Sequence, residues 1–99
     1  MSNPYSFETG RLVMTSGIAE AMQRSVAFSV FVSSCIQRYV NADWGNTHPN
    51  DCKLNRQAIR YGNERIVAAY ANPDNLNEII WIITEADRSY TTILFPDEY

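Results

Sequence analysis

A run of five apolar residues without interruption, IIWII at residues 79–83, constrains the fold of this chain more than any other feature. The run lies within NEIIWIIT (77–84), and turn-forming residues flank it: NPDN (72–75) before and EADRS (85–89) after. A strand that is apolar on both faces needs cover on both faces, so we expect it at the centre of a sheet. Helices would cover one face, and Trp81 or Tyr70 would cover the other.

Two more extended segments surround this run, RIVAAYA (65–71) and YTTILF (90–95), and Pro96 ends the second of them. Because short turns separate the three segments, they predict a three-stranded antiparallel meander over residues 65–95. A short additional strand over residues 10–15 would have to pair with an edge of that sheet.

The first 62 residues are predicted to be mainly helical. In VAFSVFVSSCIQRYV (26–40) apolar residues recur every three or four positions, which gives one helical face that includes Phe28, Val32, Cys35 and Tyr39. Ser25 is expected to cap this helix and to separate it from a shorter one that begins near residue 16. The many β-branched residues leave a strand as the alternative for this segment.

A third helix is predicted over DCKLNRQAIRYGN (51–63), capped by Asn50 and closed by Gly62. Leu54, Ala58 and Ile59 are expected to face inward. The predicted fold class is therefore α+β, a single domain over residues 1–99, with N-terminal helices packed on a three-stranded antiparallel sheet on the C-terminal side.

Composition excludes several classes of protein. At 99 residues the chain is large enough for one core, and no stretch has the roughly 20 apolar residues of a membrane span. The N-terminus lacks the basic and apolar regions of a signal peptide, so we expect a cytoplasmic protein in which Cys35 and Cys52 are free thiols. No metal site or cofactor site is expected, since His48 is the only histidine and no ligand spacing occurs.

The charges are distributed unevenly. Residues 1–66 contain seven bases and five acids, whereas residues 67–99 contain six acids and one base, Arg88. Such asymmetry is typical of an interaction surface, although polar turns of a small sheet would produce it too. The candidate partner-binding residues are Asp43, Asp74, Glu78, Glu85, Asp87, Asp97 and Glu98. In a meander, Asp74, Asp97 and Glu98 lie at one end of the sheet, with Glu85 and Asp87 at the other.

Other functions have weaker support. A basic helix face with Lys53, Arg56 and Arg60 fits a small accessory nucleic-acid-binding protein, although exposed bases on a helix usually serve solubility. Glu85 and Asp87 are a conceivable acid–base pair, but Glu-x-Asp is common in solvated turns. We therefore expect a protein that is not an enzyme.

The segments WIITEADRSYTTILFPDEY (81–99), ADWG (42–45) and NERIVAAY (63–70) resemble a family of short bacterial proteins carried on plasmids, phages and integrated elements. Members are often labelled type I restriction subunits. Within it, the chain is similar to phage anti-CRISPR inhibitors of type I-C systems. This resemblance implies a non-catalytic monomer without cofactor that blocks target-DNA binding by the type I-C surveillance complex, Cascade.

The partner implied is thus a basic host protein complex, with no direct contact to nucleic acid or membrane. Spaced carboxylates imitate a phosphate backbone, which accounts for the predicted role of the acidic residues as a DNA mimic. Within the resembling segment, Arg88 either pairs with Glu85 or Asp87 to hold the turn or contacts the partner.

Overall fold

The secondary structure combines three helices with one sheet. A computed structural model describes residues 6–62 and 64–99. The elements follow in the order β1 (Arg11–Met14), α1 (Ser16–Arg24), α2 (Val26–Val40), α3 (Pro49–Tyr61), β2 (Ile66–Asn72), β3 (Asn75–Thr84), β4 (Tyr90–Leu94) and a 3₁₀ turn, η1 (Pro96–Glu98). The fold is α+β with a four-stranded mixed sheet.

The sheet has the strand order β1-β4-β3-β2. β3 pairs antiparallel with both β2 and β4, whereas β1 pairs parallel with β4, Arg11 opposite Tyr90. The predicted three-stranded antiparallel meander is therefore wrong, because a fourth strand covers the free edge of β4. Parallel neighbours require a long connection, and residues 15–89 supply it.

A chain of buried hydroxyl groups stabilises the position of β1. The Tyr39 hydroxyl lies 2.7 Å from Oγ1 of Thr84, which lies 2.6 Å from Oγ1 of Thr91, and Thr91 donates to the carbonyl oxygen of Thr9 at 2.6 Å. A carbonyl can only accept, so Thr91 accepts from Thr84, and the single Tyr39 hydroxyl proton is shared between Oγ1 of Thr84 and the Ile66 carbonyl at 3.3 Å. This chain joins α2, two strands and the segment that leads into β1.

The two N-terminal helices begin at hydroxyl caps. Oγ1 of Thr15 accepts from the Ile18 N–H at 3.3 Å, and Oγ of Ser25 accepts from the Phe28 N–H at 3.1 Å. The prediction of a cap at Ser25 between two helices is confirmed. α2 then buries the apolar face expected from its periodicity, with the residues Phe28, Phe31, Val32, Cys35 and Tyr39.

The third helix differs from its prediction in two respects. His48, not Asn50, is the N-cap, and its Nδ1 accepts from the Asn50 N–H at 3.1 Å. Leu54 is 58% exposed, whereas Asn55 is buried. Ala58 is buried and Ile59 packs against the core, as predicted, so the inward face of α3 combines these apolar residues with the Asn55 amide, which binds the backbone of β2. Gly62 does end the helix in the left-handed conformation, at φ 70°.

Asn55 and the loop before α3 together close the outer edge of β2. The Asn55 amide donates to the Val67 carbonyl at 2.8 Å and accepts from the Val67 N–H at 3.1 Å. Oγ1 of Thr47 accepts from the Ala69 N–H, and the Asn46 N–H donates to the Ala69 carbonyl, both at 2.9 Å. Side chains and loop backbone thus occupy the hydrogen-bonding positions of a neighbouring strand.

The two faces of β3 have different covers. Ile80 and Ile82 are fully buried on the side of α1 and α2. On the opposite face Trp81 is half-buried, and the Tyr99 ring lies edge-on at 5.6 Å between centroids. Tyr70 was the other residue expected there, but its register with Ile80 and its complete burial put it on the helix side.

Candidate interaction surface

Three of the predicted acidic residues lie at the end of the sheet that contains the β2–β3 turn. We call Asp74, Glu78 and Asp97 the acidic end. Asp74 is exposed in the turn, where its N–H donates to Oδ1 of Asn72 at 3.0 Å. Glu78 follows on β3, and its Oε1 accepts from Nδ2 of Asn72 at 2.7 Å. Asn72 thus holds the turn and one of the carboxylates in a fixed arrangement.

Asp97 reaches the same end from the C-terminal segment. Pro96 stops β4 and begins η1, in which Asp97 is exposed. Asp97 and Glu78 line one shallow depression, whose other walls are Asn75, Asn77, Ile79, Phe95 and Pro96. Glu78 and Asp97, which are far apart in sequence, thus lie side by side at the end of the sheet where Asp97 was predicted.

Glu98 has a structural role. Its Oε1 accepts from the Thr15 hydroxyl at 2.7 Å and from the Phe95 N–H at 2.8 Å. Gly17 packs so closely against this carboxylate that a β-carbon there would lie 2.5 Å from Oε2 of Glu98. The carboxylate therefore fastens η1 to the junction of β1 and α1.

Asp43 is also engaged within the chain. Nε and Nη2 of Arg38 donate to its two carboxylate oxygens at 2.9 Å and 3.2 Å, and the Gly45 N–H donates at 3.2 Å. The hydrogen bond from Arg38 is the main cause that lowers the pKa of Asp43. Since the Tyr70 hydroxyl donates to the Asp43 carbonyl at 2.8 Å, this residue holds the ADWG loop against β2.

Glu85 and Asp87 lie in the β3–β4 turn, at the opposite end of the sheet. Oδ1 of Asp87 accepts from the N–H and from the hydroxyl of Ser89, which lowers the pKa of this exposed carboxyl. The structure brings neither residue to the acidic end. The seven predicted residues therefore form no single stripe.

Arg88 forms no ion pair with either acid in its turn, so the first of the two alternatives considered for it is wrong. Its guanidinium donates to main-chain carbonyls instead, at 3.0 Å to Ala58 and 2.7 Å to Glu64, and to those of Glu85 and Ala86. Arg88 has a φ of 62°, which turns its side chain toward the end of α3. Because these partners are main-chain carbonyls, no acidic side chain in the sequence indicated this contact.

No ion pair among the described residues involves the acidic end. Among residues 6–62 and 64–99 the salt bridge is Arg38–Asp43. Asp74 and Asp97 are exposed, and Glu78 binds a neutral amide. No cation among the described residues is therefore fixed against these three carboxylates.

A basic surface lies elsewhere, on α3. Lys53, Arg56 and Arg60 are all exposed, and the Arg60 guanidinium lies 5.8 Å from the ring centroid of Tyr61. Tyr61 is itself exposed. This combination of bases with an aromatic ring is what a nucleic-acid-binding helix would present.

Two adjoining cavities were not foreseen from the sequence. One of about 570 Å³ lies under α3, and one of about 350 Å³ lies over the Trp81 side of the sheet. Asp51, Arg65 and Val67 border both. The Arg65 guanidinium lies 5.5 Å from the centroid of the Tyr99 ring.

Catalytic and metal-binding groups are sparse in the part of the chain that the structure describes. No group of three or more His, Cys, Asp and Glu residues there is arranged to hold a metal ion. Nδ1 of His48 accepts a hydrogen bond as the cap of α3. Cys35 and Cys52 are free thiols, as predicted. None of the described helices is long and apolar enough to cross a membrane.

Comparison with protein-family models, with curated proteins and with solved structures finds no match for this chain. Functional proposals for this chain therefore rest on the geometry of the acidic end and of the basic surface of α3, together with the resemblance of residues 81–99.

Proposed function

We propose that the protein is a non-catalytic inhibitor that binds a basic host complex through the acidic end and prevents that complex from binding target DNA. The observation that carries the proposal is the set of carboxylates at the acidic end, Asp74, Glu78 and Asp97, which form no ion pair with any residue of 6–62 and 64–99. The resemblance to type I-C anti-CRISPR inhibitors names the partner to test, the type I-C surveillance complex.

The rigidity of the acidic end supports this role. Asp74 lies in a turn held by Asn72, Glu78 is part of a ten-residue strand, and Asp97 follows a proline. The backbone at all three positions is fixed and Asn72 already holds the Glu78 carboxylate, so binding has to order only the side chains of Asp74 and Asp97. More of the electrostatic attraction to a Lys/Arg groove then remains as affinity, and the carboxylates can take the place of DNA phosphates.

The direct test is affinity for the purified complex, measured by calorimetry or interferometry with two charge-matched double variants. One variant carries Asp74→Lys and Asp97→Lys at the acidic end. The control carries Glu64→Lys and Glu85→Lys near the opposite end. Within the part of the chain that the structure describes, none of the four carboxylates forms a hydrogen bond, so both variants should fold, which circular dichroism would check.

The acidic-end variant should bind about 100-fold more weakly than the parent, since like charges in a basic groove cost several kcal/mol. The control should stay within a few-fold of the parent. Equal losses in both variants would mean that overall charge, not the acidic end, governs binding.

The basic surface of α3 supports a second candidate, a small nucleic-acid-binding protein. In that case the protein alone would bind DNA with an affinity that falls steeply with salt, and Arg56→Glu with Arg60→Glu would abolish binding. A titration of labelled DNA with the protein alone distinguishes the two candidates.

A further inference from the structure

The two edge strands, β2 and β1, differ in whether their outward-facing backbone groups are hydrogen-bonded. At the β2 edge, Asn46, Thr47 and Asn55 bond to the outward-facing backbone groups of Val67, Ala69 and Ala71. That edge cannot accept another strand without displacing these bonds. The β1 edge has no comparable cover among the described residues.

The parallel pairing defines which groups of β1 face outward. The Arg11 N–H donates to the Ser89 carbonyl and the Thr15 N–H to the Ile93 carbonyl, both at 3.1 Å. Residues alternate along a strand, so Arg11, Val13 and Thr15 point their backbone groups toward β4. The N–H and C=O groups of Leu12 and Met14 therefore point away from the sheet.

Apolar side chains accompany these open backbone groups. Leu12 is 46% exposed and Met14 39% exposed, and both register with residues of β4 on the helix side of the sheet, Thr91 and Ile93. Edge strands of stable monomers usually carry a charge, a proline or a bulge at such positions. The outward-facing positions of β1 carry none of these.

We propose that β1 pairs antiparallel with β1 of a second copy of this chain, about a two-fold axis at Val13, to form one continuous sheet across the dimer. Leu12 of one copy would then lie opposite Met14 of the other and exchange both backbone hydrogen bonds with it. The four open groups on each strand, an N–H and a C=O at both Leu12 and Met14, match each other in this register, which makes the edge complementary to itself.

Charge complementarity supports the same register. Arg11 then lies opposite Thr15 of the second copy, and the Thr15 hydroxyl holds Glu98 at 2.7 Å. The exposed Arg11 guanidinium of each copy thus approaches a carboxylate of the other. A strand from a different protein would have to supply both an apolar pair and a carboxylate at the matching positions. A second copy of this chain already carries both there. Only five residues of each copy, 11–15, lie opposite one another, so the dimer should be weak.

Sedimentation velocity of the full chain, from about 1 µM to about 1 mM, tests the proposal. The parent should shift from monomer to dimer over this range. Leu12→Pro removes an outward N–H without removing a bond to β4, and it should abolish the shift. Leu12→Lys with Met14→Lys is the second variant, and should have the same effect through charge and lost apolar contact. Leu54→Lys, at an exposed leucine of α3, is the control and should dimerise like the parent.

Hydrogen exchange supplies a local readout. The amides of Leu12 and Met14 should exchange at least tenfold more slowly at high protein concentration than at low concentration, while the already bonded amide of Val67 should show no such change. A protein that sediments as a monomer throughout, as predicted from the sequence, overturns the proposal. So does a dimer that persists in both edge variants while they remain folded, because its interface would then lie elsewhere.

Discussion

Replacing Asn55 by alanine should destabilise the protein more than any other polar substitution on α3. Asn55 is only 3% exposed, and its amide forms both a donor and an acceptor bond to Val67. Each lost bond costs about 1 kcal/mol, and the backbone groups left without a partner add to this, although water can reach half-buried Val67 in part. We expect a loss of about 2–4 kcal/mol in the free energy of unfolding.

Urea and thermal unfolding followed by circular dichroism measure this loss. For a domain of this size it corresponds to a fall in Tm of about 10–25 °C. The matched control is Gln57→Ala, an exposed position on the same helix, which should change stability by no more than about 0.5 kcal/mol. If Asn55→Ala behaves like Gln57→Ala, α3 does not depend on this amide and the account of the sealed β2 edge is wrong.

Three further predictions concern the core, a turn and the thiols. Ile82→Ala should cost about 2–5 kcal/mol in urea unfolding, because the side chain is fully buried in the central strand. Gly10→Ala should lower Tm more than Gly62→Ala: both glycines have positive φ, but a β-carbon at Gly10 would collide with the backbone of the β3–β4 turn and one at Gly62 would meet open space. Burial raises the pKa of Cys35 to about 12, so a thiol reagent at neutral pH should modify Cys52 alone in the native protein and both thiols in denaturant. Since the unfolded thiol ionises near pH 9, the stability that comes from this shift should be complete below about pH 9 and decline as the pH rises toward 12.

Local chemistry accounts for what the sequence could predict. Ser25 and Gly62 act within a few residues of their own positions, so a hydroxyl between two helical segments and a glycine after a helix were sufficient signals. The apolar run at residues 79–83 predicted an interior strand in the same way, because an uninterrupted apolar segment indicates burial on both faces whatever its neighbours are.

The errors arose where distant residues decide the structure. The additional strand considered over residues 10–15 does form and does pair with an edge of the sheet, but its partner lies almost eighty positions away and nothing in four residues indicates that the pairing is parallel. Of the three residues expected to face inward on α3, Ala58 and Ile59 do so, but Leu54 is exposed and the neighbouring Asn55 is buried instead, because its amide binds the backbone of β2.

The candidate site shows the same division. Asn72 holds the Asp74 backbone and the Glu78 carboxylate through contacts across one tight turn. The sequence predicted Asp74, Asp97 and Glu98 at one end of the sheet, whereas the Glu98 carboxylate binds Thr15 at the junction of β1 and α1. The bond from Thr15 to Glu98 spans 83 residues, and the carbonyl partners of Arg88 carry no side-chain signal, so neither role could be predicted.

The most direct test of the functional account is target-DNA binding by a purified type I-C surveillance complex in the presence of this protein. A mobility-shift titration with labelled target DNA would compare the parent with the Asp74→Lys, Asp97→Lys variant, each added before the DNA. We predict that the parent protein at saturating concentration prevents formation of the DNA-bound complex and that the variant does not. If DNA binding is unchanged at saturating parent protein, the acidic end does not act as a DNA mimic toward this complex.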